Sequence, residues 1–224
     1  MVAAAEVGSL SVGEGDRWSD VDLTFAIDDQ VDTVEVLDDW TSTFVDELGG
    51  MRLFDLTSGP SIYRVFMFPE CLQLDVSFSS ARDFKPTSPR FRLVFGEADE
   101  MQLPEPPDPG GLLGWAVMWA THARRCIERE LWWQAEHSIT SMRQHALSFA
   151  CRRRELPAGY GRGIDRLPSD VRHRFASTLV LAYEPDALKV ALKNCVAALS
   201  AECADDPETD EAIGDRLGDT VAGL

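Results

Sequence analysis

The spacing of apolar residues along the chain changes at a proline-rich segment, and this change constrains the fold more than any other sequence feature. Residues 96–111 contain four prolines, five acidic residues and three glycines, a composition that is typical of a linker. Before this segment, apolar residues alternate with polar ones, which predicts strands; after it, they recur at helical spacing. We therefore predict an α+β chain, in which a mixed-sheet head at 1–100 is joined by a linker at 101–111 to a C-terminal α-helical bundle at 112–224.

The head contains several short runs that are typical of strands, with one helix among them. In the clearest run, residues 20–27, the large apolar side chains point to one face while Asp20 and Asp22 point to the other. A helix is predicted at 31–50, because its apolar spacing is helical and a pair of glycines ends it. Strands are predicted at 3–9, 20–27, 51–57, 61–68, 72–78 and 90–95.

Helical segments dominate the chain beyond the linker. Residues 112–156 predict two helices or one long bent helix, and residues 169–183 predict a helix with Ser169 as its N-terminal cap. Residues 184–203 have the spacing of an amphipathic helix. The last segment, 206–224, would close the bundle.

The chain is strongly acidic, with 38 acidic against 21 basic residues and a formal net charge of −17. Such a charge repels nucleic acids and anionic membranes, so we expect neither as a partner, whereas a polycationic small molecule is compatible with it. The five cysteines include no C-x-x-C pair, and no basic region precedes the short apolar run after Met1. These features predict a cytoplasmic protein with reduced thiols.

Asp20 and Asp22 are two residues apart on a predicted strand, so their carboxylates project side by side. Carboxylates this close repel each other unless a cation lies between them, and hard oxygen ligands suit Mg²⁺. Asp75 lies on the polar face of another predicted strand, at 72–78. If the two strands are neighbours, three carboxylates converge, and such a cluster can hold two Mg²⁺ ions roughly 3.5–4 Å apart that clamp a phosphoryl transfer.

A glycine-containing loop precedes the paired carboxylates. Gly8 would let the backbone approach a phosphate closely, and Ser9 offers a hydroxyl, while Gly13 and Gly15 permit turns with positive φ. Because Mg²⁺ commonly keeps phosphate oxygens as ligands, this loop and the carboxylates together predict a metal–nucleotide site.

These residues resemble the signature of a known superfamily. Gly8 and Ser9, the spacer, and the run Ser-Asp-Val-Asp-Leu at 19–23 are similar to the nucleotidyltransferase signature G-S, spacer, [SD]-D-x-D-[LIV], found on the DNA polymerase β-like fold. In that superfamily a third acidic residue lies on a later strand, as Asp75 does here. The head-plus-bundle layout is similar to that of small antibiotic nucleotidyltransferases that act on aminoglycosides and lincosamides.

The resemblance implies a Mg²⁺-dependent nucleotidyltransferase that moves a nucleoside monophosphate, AMP from ATP, to a hydroxyl of a small molecule. Aminoglycoside-like antibiotics are among the candidate acceptors. Asp20 and Asp22 would hold two Mg²⁺ ions, and Asp75 would complete one metal site and accept the proton of the acceptor hydroxyl. Gly8 and Ser9 would hold the β- and γ-phosphates.

Several other side chains have two interpretations each. Arg17 and Ser19 would contact the nucleotide or only shape the loop. Glu136, in the middle of a predicted helix, would orient or deprotonate the acceptor hydroxyl, or lie on a solvated helix face. Arginines 152–154 would complement a helix C-terminus or grip a triphosphate.

Two other functions stay open from the sequence. The acceptor could be a protein, as for the nucleotidyltransferases of toxin–antitoxin pairs, although those proteins usually lack a long helical extension. The head could also be catalytically degenerate and serve only for binding. Superfamily members usually carry a helix before their first strand, whereas the first strand predicted here begins at residue 3. The sequence does not indicate the oligomeric state.

Overall fold

The computed structural model describes residues 1–204 and 211–224, with side chains described outside 205–215. The chain divides into two compact units, Met1–Glu105 and Pro106–Leu224, and the boundary falls within residues 101–111. The first unit contains a mixed sheet and the second is helical, so the predicted α+β class is confirmed.

Six strands form one sheet among the described residues of the first unit. They are β1 (Ala3–Val7), β2 (Val21–Ile27), β3 (Met51–Ser58), β4 (Ser61–Met67), β5 (Gln73–Ser80) and β6 (Phe91–Phe95). The order across the sheet is β3-β4-β5-β2-β1-β6. Only the central β2–β5 pair is parallel; the other neighbours run antiparallel.

Helix α1 (Thr33–Ser42) continues as a π-helical turn, Thr43–Glu47, so the predicted helix at 31–50 is too long at both ends. The Asp32 carboxylate accepts a hydrogen bond from the backbone N–H of Val34 at 2.8 Å, which fixes the helix start. At the other end, Gly49 adopts a left-handed φ of 70°, which terminates the helical backbone.

Aromatic packing joins α1 to one face of the sheet. The Trp40 ring lies 4.7 Å from that of Phe25 and 5.5 Å from that of Phe78, centroid to centroid. The Phe44 ring packs edge-on to Phe66 at 5.0 Å. Because the apolar residues of β2 and β5 are committed to this layer, the alternate residues of both strands, including the aspartates, lie on the opposite face.

A buried arginine ties the edge of the sheet to α1. Arg64 on β4 is 4% exposed and donates to both carboxylate oxygens of Asp55 at 2.8 and 2.9 Å. It also donates to Asp38 at 3.1 Å and to the Thr41 hydroxyl at 2.6 Å. The hydrogen bonds from Arg64 hold the pKa of Asp55 below its ordinary value, against the opposing effect of burial.

The second unit is a bundle of helices around a core rich in alanine and leucine. Residues 112–156 form two separate helices, one of the two predicted alternatives. The first begins at residue 109, earlier than predicted, because proline is tolerated in a first helical turn and Asp108 caps it by accepting from the Gly111 N–H at 2.7 Å. The helices are α2 (Pro109–Glu128), α3 (Trp132–Arg152), α4 (Ser169–Ala176), α5 (Pro185–Ala204) and α6 (Glu211–Val221).

Helix α4 corrects the prediction for 169–183 in two ways. Ser169 is the first helical residue and not the cap, a position that Pro168 occupies without a side-chain hydrogen bond. The helix ends at Ala176 because the Thr178 backbone N–H and hydroxyl both donate to the Phe175 carbonyl, at 3.1 and 2.6 Å, and close its last turn.

The C-terminal segment packs as α6. Its Leu217 side chain is fully buried in the helical core, whereas residues 206–210 of the predicted closing segment lie outside the described residues. Within the described part of the chain, every helix is too short or too polar to span a bilayer.

Candidate functional site

Three aspartates meet at the centre of the sheet. Asp22 on β2 and Asp75 on β5 are direct register partners in the parallel pair, and Asp20 comes two residues before Asp22, just ahead of β2. One carboxylate oxygen from each residue lies within 4.8 Å of the oxygens from the other two. All three side chains are partly buried. The convergence follows from sheet order, which makes β2 and β5 neighbours.

The electrostatics of this aspartate trio (Asp20, Asp22 and Asp75) favour a cation. Burial raises the pKa of Asp75, a hydrogen bond from Gln73 lowers it, and the neighbouring charge of Asp20 raises it again. Among the described residues, no lysine or arginine forms an ion pair with Asp20 or Asp75. Clustered carboxylate oxygens are the donors that Mg²⁺ and similar hard cations prefer, so the residues present fit such an ion.

Gln73 is a site residue that the sequence prediction missed. Its side-chain N–H donates to Oδ1 of Asp75 at 2.9 Å. The two residues are two positions apart on β5 and share one face, a spacing that could have revealed the contact. The hydrogen bond holds the carboxylate in one orientation beside the other two aspartates.

Gly8 packs directly against the trio. Val7, the last residue of β1, pairs in register with Asp22, and Gly8 follows with a left-handed φ of 72°. A Cβ atom on Gly8 would lie 2.1 Å from Oδ2 of Asp22. The residue predicted to admit a phosphate therefore makes room, in this structure, for a carboxylate.

The loop after Gly8 is a short, well-bonded turn. The Ser9 carbonyl accepts hydrogen bonds from the backbone N–H groups of Val12 and Glu14 at 3.4 and 3.0 Å, and the Ser11 hydroxyl donates to the Gly8 carbonyl at 2.8 Å. The Ser9 side chain makes no capping hydrogen bond to the short turn that follows it, Leu10–Val12.

Arg17 and Ser19 lie in a second turn that leads into Asp20. The Asp16 carboxylate accepts from the Trp18 backbone N–H at 2.8 Å and from the Ser19 hydroxyl at 3.3 Å, and that hydroxyl accepts from the Asp16 N–H at 2.9 Å. Ser19 therefore shapes the loop. The exposed Arg17 guanidinium stacks 4.1 Å from the centroid of the Trp18 ring.

Glu136 belongs to a polar network within the helical unit. Its Oε1 accepts from the Thr140 hydroxyl at 2.7 Å, and that hydroxyl accepts from Arg143 at 2.9 Å. Arg143 in turn donates to the Thr178 carbonyl at 3.1 Å. The network fixes the rotamer of Glu136 on α3, and its predicted place on the acceptor side stays a prediction.

All three consecutive arginines have a partner within the helical unit. Arg153 and Arg154 both contact the carboxylate of Glu202, at 3.3 and 2.7 Å, whereas Arg152 donates to the Pro107 carbonyl at 3.1 Å. Their charges serve the helical unit, which leaves a triphosphate contact from Arg153 and Arg154 without structural support.

Comparison with known proteins gives a distant likeness. No protein-family model matches the chain, and no curated protein matches it. Among solved structures, the chain is similar to the crystal structure of an aminoglycoside 6-adenyltransferase from Bacillus subtilis, at 13% identity and a TM-score of 0.41, over 99% of this chain and 92% of that chain. The case for function therefore stands on the geometry of the site itself.

Proposed function

We propose that this chain is a Mg²⁺-dependent nucleotidyltransferase that moves a nucleoside monophosphate, AMP from ATP, to a hydroxyl of a small molecule. The observation that carries the proposal is the convergence of Asp20, Asp22 and Asp75, whose ligand oxygens lie within 4.8 Å of one another beside the Gly8–Ser9 turn. This pairing of a carboxylate cluster with a glycine-containing loop is what a metal–triphosphate complex requires.

The trio would hold two Mg²⁺ ions, with Asp20 and Asp22 contributing to both and Asp75 to one. When bound, Mg²⁺ neutralises phosphate charge and clamps the attacking and leaving oxygens of an in-line displacement. Gln73, through its 2.9 Å hydrogen bond to Oδ1, keeps Asp75 oriented toward the other two carboxylates.

The loop would position the nucleotide. Ser9 offers a hydroxyl to the β- and γ-phosphates, and Gly8, which has no side chain, precedes it and would let the backbone approach them. We assign Arg17 and Ser19 to the nucleotide-facing turn, Arg17 as an exposed positive charge and Ser19 as the residue that shapes the turn. Such contacts act mainly by positioning and charge neutralisation.

The proposed reaction is a single displacement. The acceptor hydroxyl oxygen attacks the α-phosphorus while its proton passes to the Asp75 carboxylate, and the bond from the α-phosphorus to its bridging oxygen breaks. Pyrophosphate leaves, and the nucleoside monophosphate stays on the acceptor. Oδ2 of Asp75 accepts no hydrogen bond from the described residues, so it is available for this proton.

The net charge of the chain favours one chemical class of acceptor. At −17, the chain attracts cationic molecules and repels polyanions, which favours a small, hydroxylated and positively charged acceptor such as an aminoglycoside-like antibiotic. Glu136 on α3, held in place by Thr140, is our candidate for the acceptor side because a carboxylate can bind an amine or a hydroxyl.

Incubation with α-labelled ATP, Mg²⁺ and a panel of aminoglycosides and lincosamides tests the proposal. We expect one or more acceptors to gain the mass of AMP and pyrophosphate to be released. Asp75→Asn should lower turnover far more than ATP affinity, because the residue takes the proton. The control is Asp39→Asn. Asp39 is an exposed acidic residue on α1, so its substitution removes the same charge away from the site and should leave turnover and ATP affinity as in wild type.

Other outcomes would redirect the proposal. Labelled polypeptides in a cell lysate, with no labelled antibiotic, would replace the small molecule by a protein acceptor. An absence of heat in a calorimetric titration with ATP and Mg²⁺ would contradict catalysis and identify a degenerate head.

A further inference from the structure

The closest approach at the site is between a glycine and a carboxylate. A Cβ built on Gly8 lies 2.1 Å from Oδ2, 3.1 Å from Cγ and 3.5 Å from Cβ of Asp22. Non-bonded carbon and oxygen atoms do not approach to 2.1 Å, so a side chain at position 8 and the present rotamer of Asp22 exclude each other.

The pairing of β1 with β2 explains this contact. Val7 is the register partner of Asp22, and Gly8 then turns away with a φ of 72° and begins the loop. The backbone of Gly8 therefore passes directly over the Asp22 side chain. The atom with which a new Cβ would collide is the far end of that side chain, which can move by rotation.

This rotation is what matters for function. Asp22 contributes one of the three oxygens that lie within 4.8 Å of one another, and a collision relieved by turning its carboxylate would take that oxygen out of the cluster. We propose that Gly8 is a positioning residue for the metal: its missing side chain holds open the space that keeps Asp22 in place as a ligand. This inference rests on the proposed function, because it presupposes that the trio binds a divalent cation.

The chain provides a matched control in the same loop. Gly13 has the same left-handed φ of 72°, but a Cβ there meets nothing within 4 Å. Alanine at either position suffers the same backbone strain, so any difference between the two variants reports the contact with Asp22 and not the turn.

The experiment measures Mn²⁺ binding to the full chain by electron paramagnetic resonance of the free ion, without nucleotide. We expect wild type and Gly13→Ala to bind with affinities within about twofold of each other, and Gly8→Ala to bind about 10–100-fold more weakly, as is typical when a group that orients a metal ligand is lost. Equal affinities for Gly8→Ala and Gly13→Ala would overturn the inference. So would an unchanged Mn²⁺ affinity combined with a selective loss of metal-free ATP binding, since Gly8 would then serve the phosphates.

The same titration separates the two proposals. If wild type binds no Mn²⁺, the proposed function itself fails; if wild type binds and Gly8→Ala binds equally well, only the positioning role fails.

A stability cycle keeps the inference testable should Gly8→Ala fold poorly. Asp22→Ala removes the carboxylate that a Cβ at position 8 would strike, so Gly8→Ala should lower the melting temperature less in the Asp22→Ala background than in wild type. An equal loss in both backgrounds, measured by circular dichroism, would show that Asp22 is not the group that position 8 accommodates.

Discussion

Two carboxylate sites, one in each unit of the chain, differ in how their negative charge is compensated. In the helical unit, Glu202 is completely buried, and Arg153, Arg154 and Arg174 approach its oxygens at 3.3, 2.7 and 3.3 Å. In the sheet unit, the aspartate trio brings three acidic side chains together. No described lysine or arginine pairs with Asp20 or Asp75 there.

This difference in charge compensation is consistent with different roles for the two sites. A buried charge is tolerated when partners inside the fold compensate it, and removing one partner is then strongly destabilising. In the trio, burial raises the pKa of Asp75 and the neighbouring charge of Asp20 raises it further, a repulsion that a bound cation would relieve. Glu202 is therefore a structural carboxylate, whereas we propose that the trio binds a cation.

Among the substitutions that test this comparison, Asp20→Ala should have the largest effect, a loss of turnover. Loss of one ligand removes metal charge that supplies several kcal/mol of transition-state stabilisation, so pyrophosphate release should fall on the order of a thousandfold. The melting temperature should stay near that of wild type, because Asp20 is only partly buried. Turnover equal to that of wild type would contradict the assignment of the trio.

Glu202→Gln should produce the largest effect on stability. The change leaves three guanidinium groups around a neutral amide, and breaking a buried pair typically lowers the free energy of unfolding by about 3–5 kcal/mol. Urea denaturation measures it. Asp170→Asn is the control, since Asp170 reaches the same Arg174 from an exposed position at 3.7 Å and should change stability by about 1 kcal/mol or less.

The two substitutions also differ in what they leave intact. Glu202→Gln should leave Mn²⁺ affinity unaltered, provided that the protein is assayed where it is folded, whereas Asp20→Ala should reduce it. A loss of Mn²⁺ binding in folded Glu202→Gln would contradict the proposal that Glu202 is structural and that the trio alone binds the ion.

The sequence predicted the acidic pair Asp20 and Asp22, at the start of β2, because the spacing of the two residues is local. Residues two apart on a strand share a face whatever the rest of the fold does, so Asp20 and Asp22 could be placed together from spacing alone. The convergence with Asp75 was a conditional prediction. It required β2 and β5 to be neighbours, and sheet order is set by long-range packing.

Contacts between residues that are far apart in the sequence were not predicted. Arg154 and Glu202 are 48 positions apart, and only the packing of α3 against α5 reveals why the arginines are there. The approach of Gly8 to Asp22 likewise depends on the register of β1 with β2. The predicted end of α4 was wrong because the apolar run after residue 176 is compatible with a longer helix. The sequence pattern does not indicate that Thr178 closes the last turn.

A smaller effect is expected when Mg²⁺ is added to or removed from the folded protein. A ligand that binds only the native state at ten times its dissociation constant stabilises it by about 1.4 kcal/mol. The melting temperature of wild type should rise with Mg²⁺ and fall back with a chelator. Asp22→Ala should show little response, while Glu202→Gln, starting from a lower melting temperature, should respond as wild type does. A Mg²⁺ shift retained by Asp22→Ala would mean that the ion binds elsewhere.

The smallest effect concerns the acidity of Asp75. Gln73 donates to Oδ1 at 2.9 Å and so lowers the pKa of Asp75, which burial and Asp20 raise. Gln73→Leu removes that hydrogen bond, and the pKa of Asp75 should rise further. Because the proposed reaction needs the ionised carboxylate, the acidic limb of the pH–rate profile should move to higher pH, with little change at alkaline pH. Gln30→Leu, an exposed position, is the control. A uniform loss of rate at every pH would instead indicate that Gln73 serves only to hold the geometry of the trio.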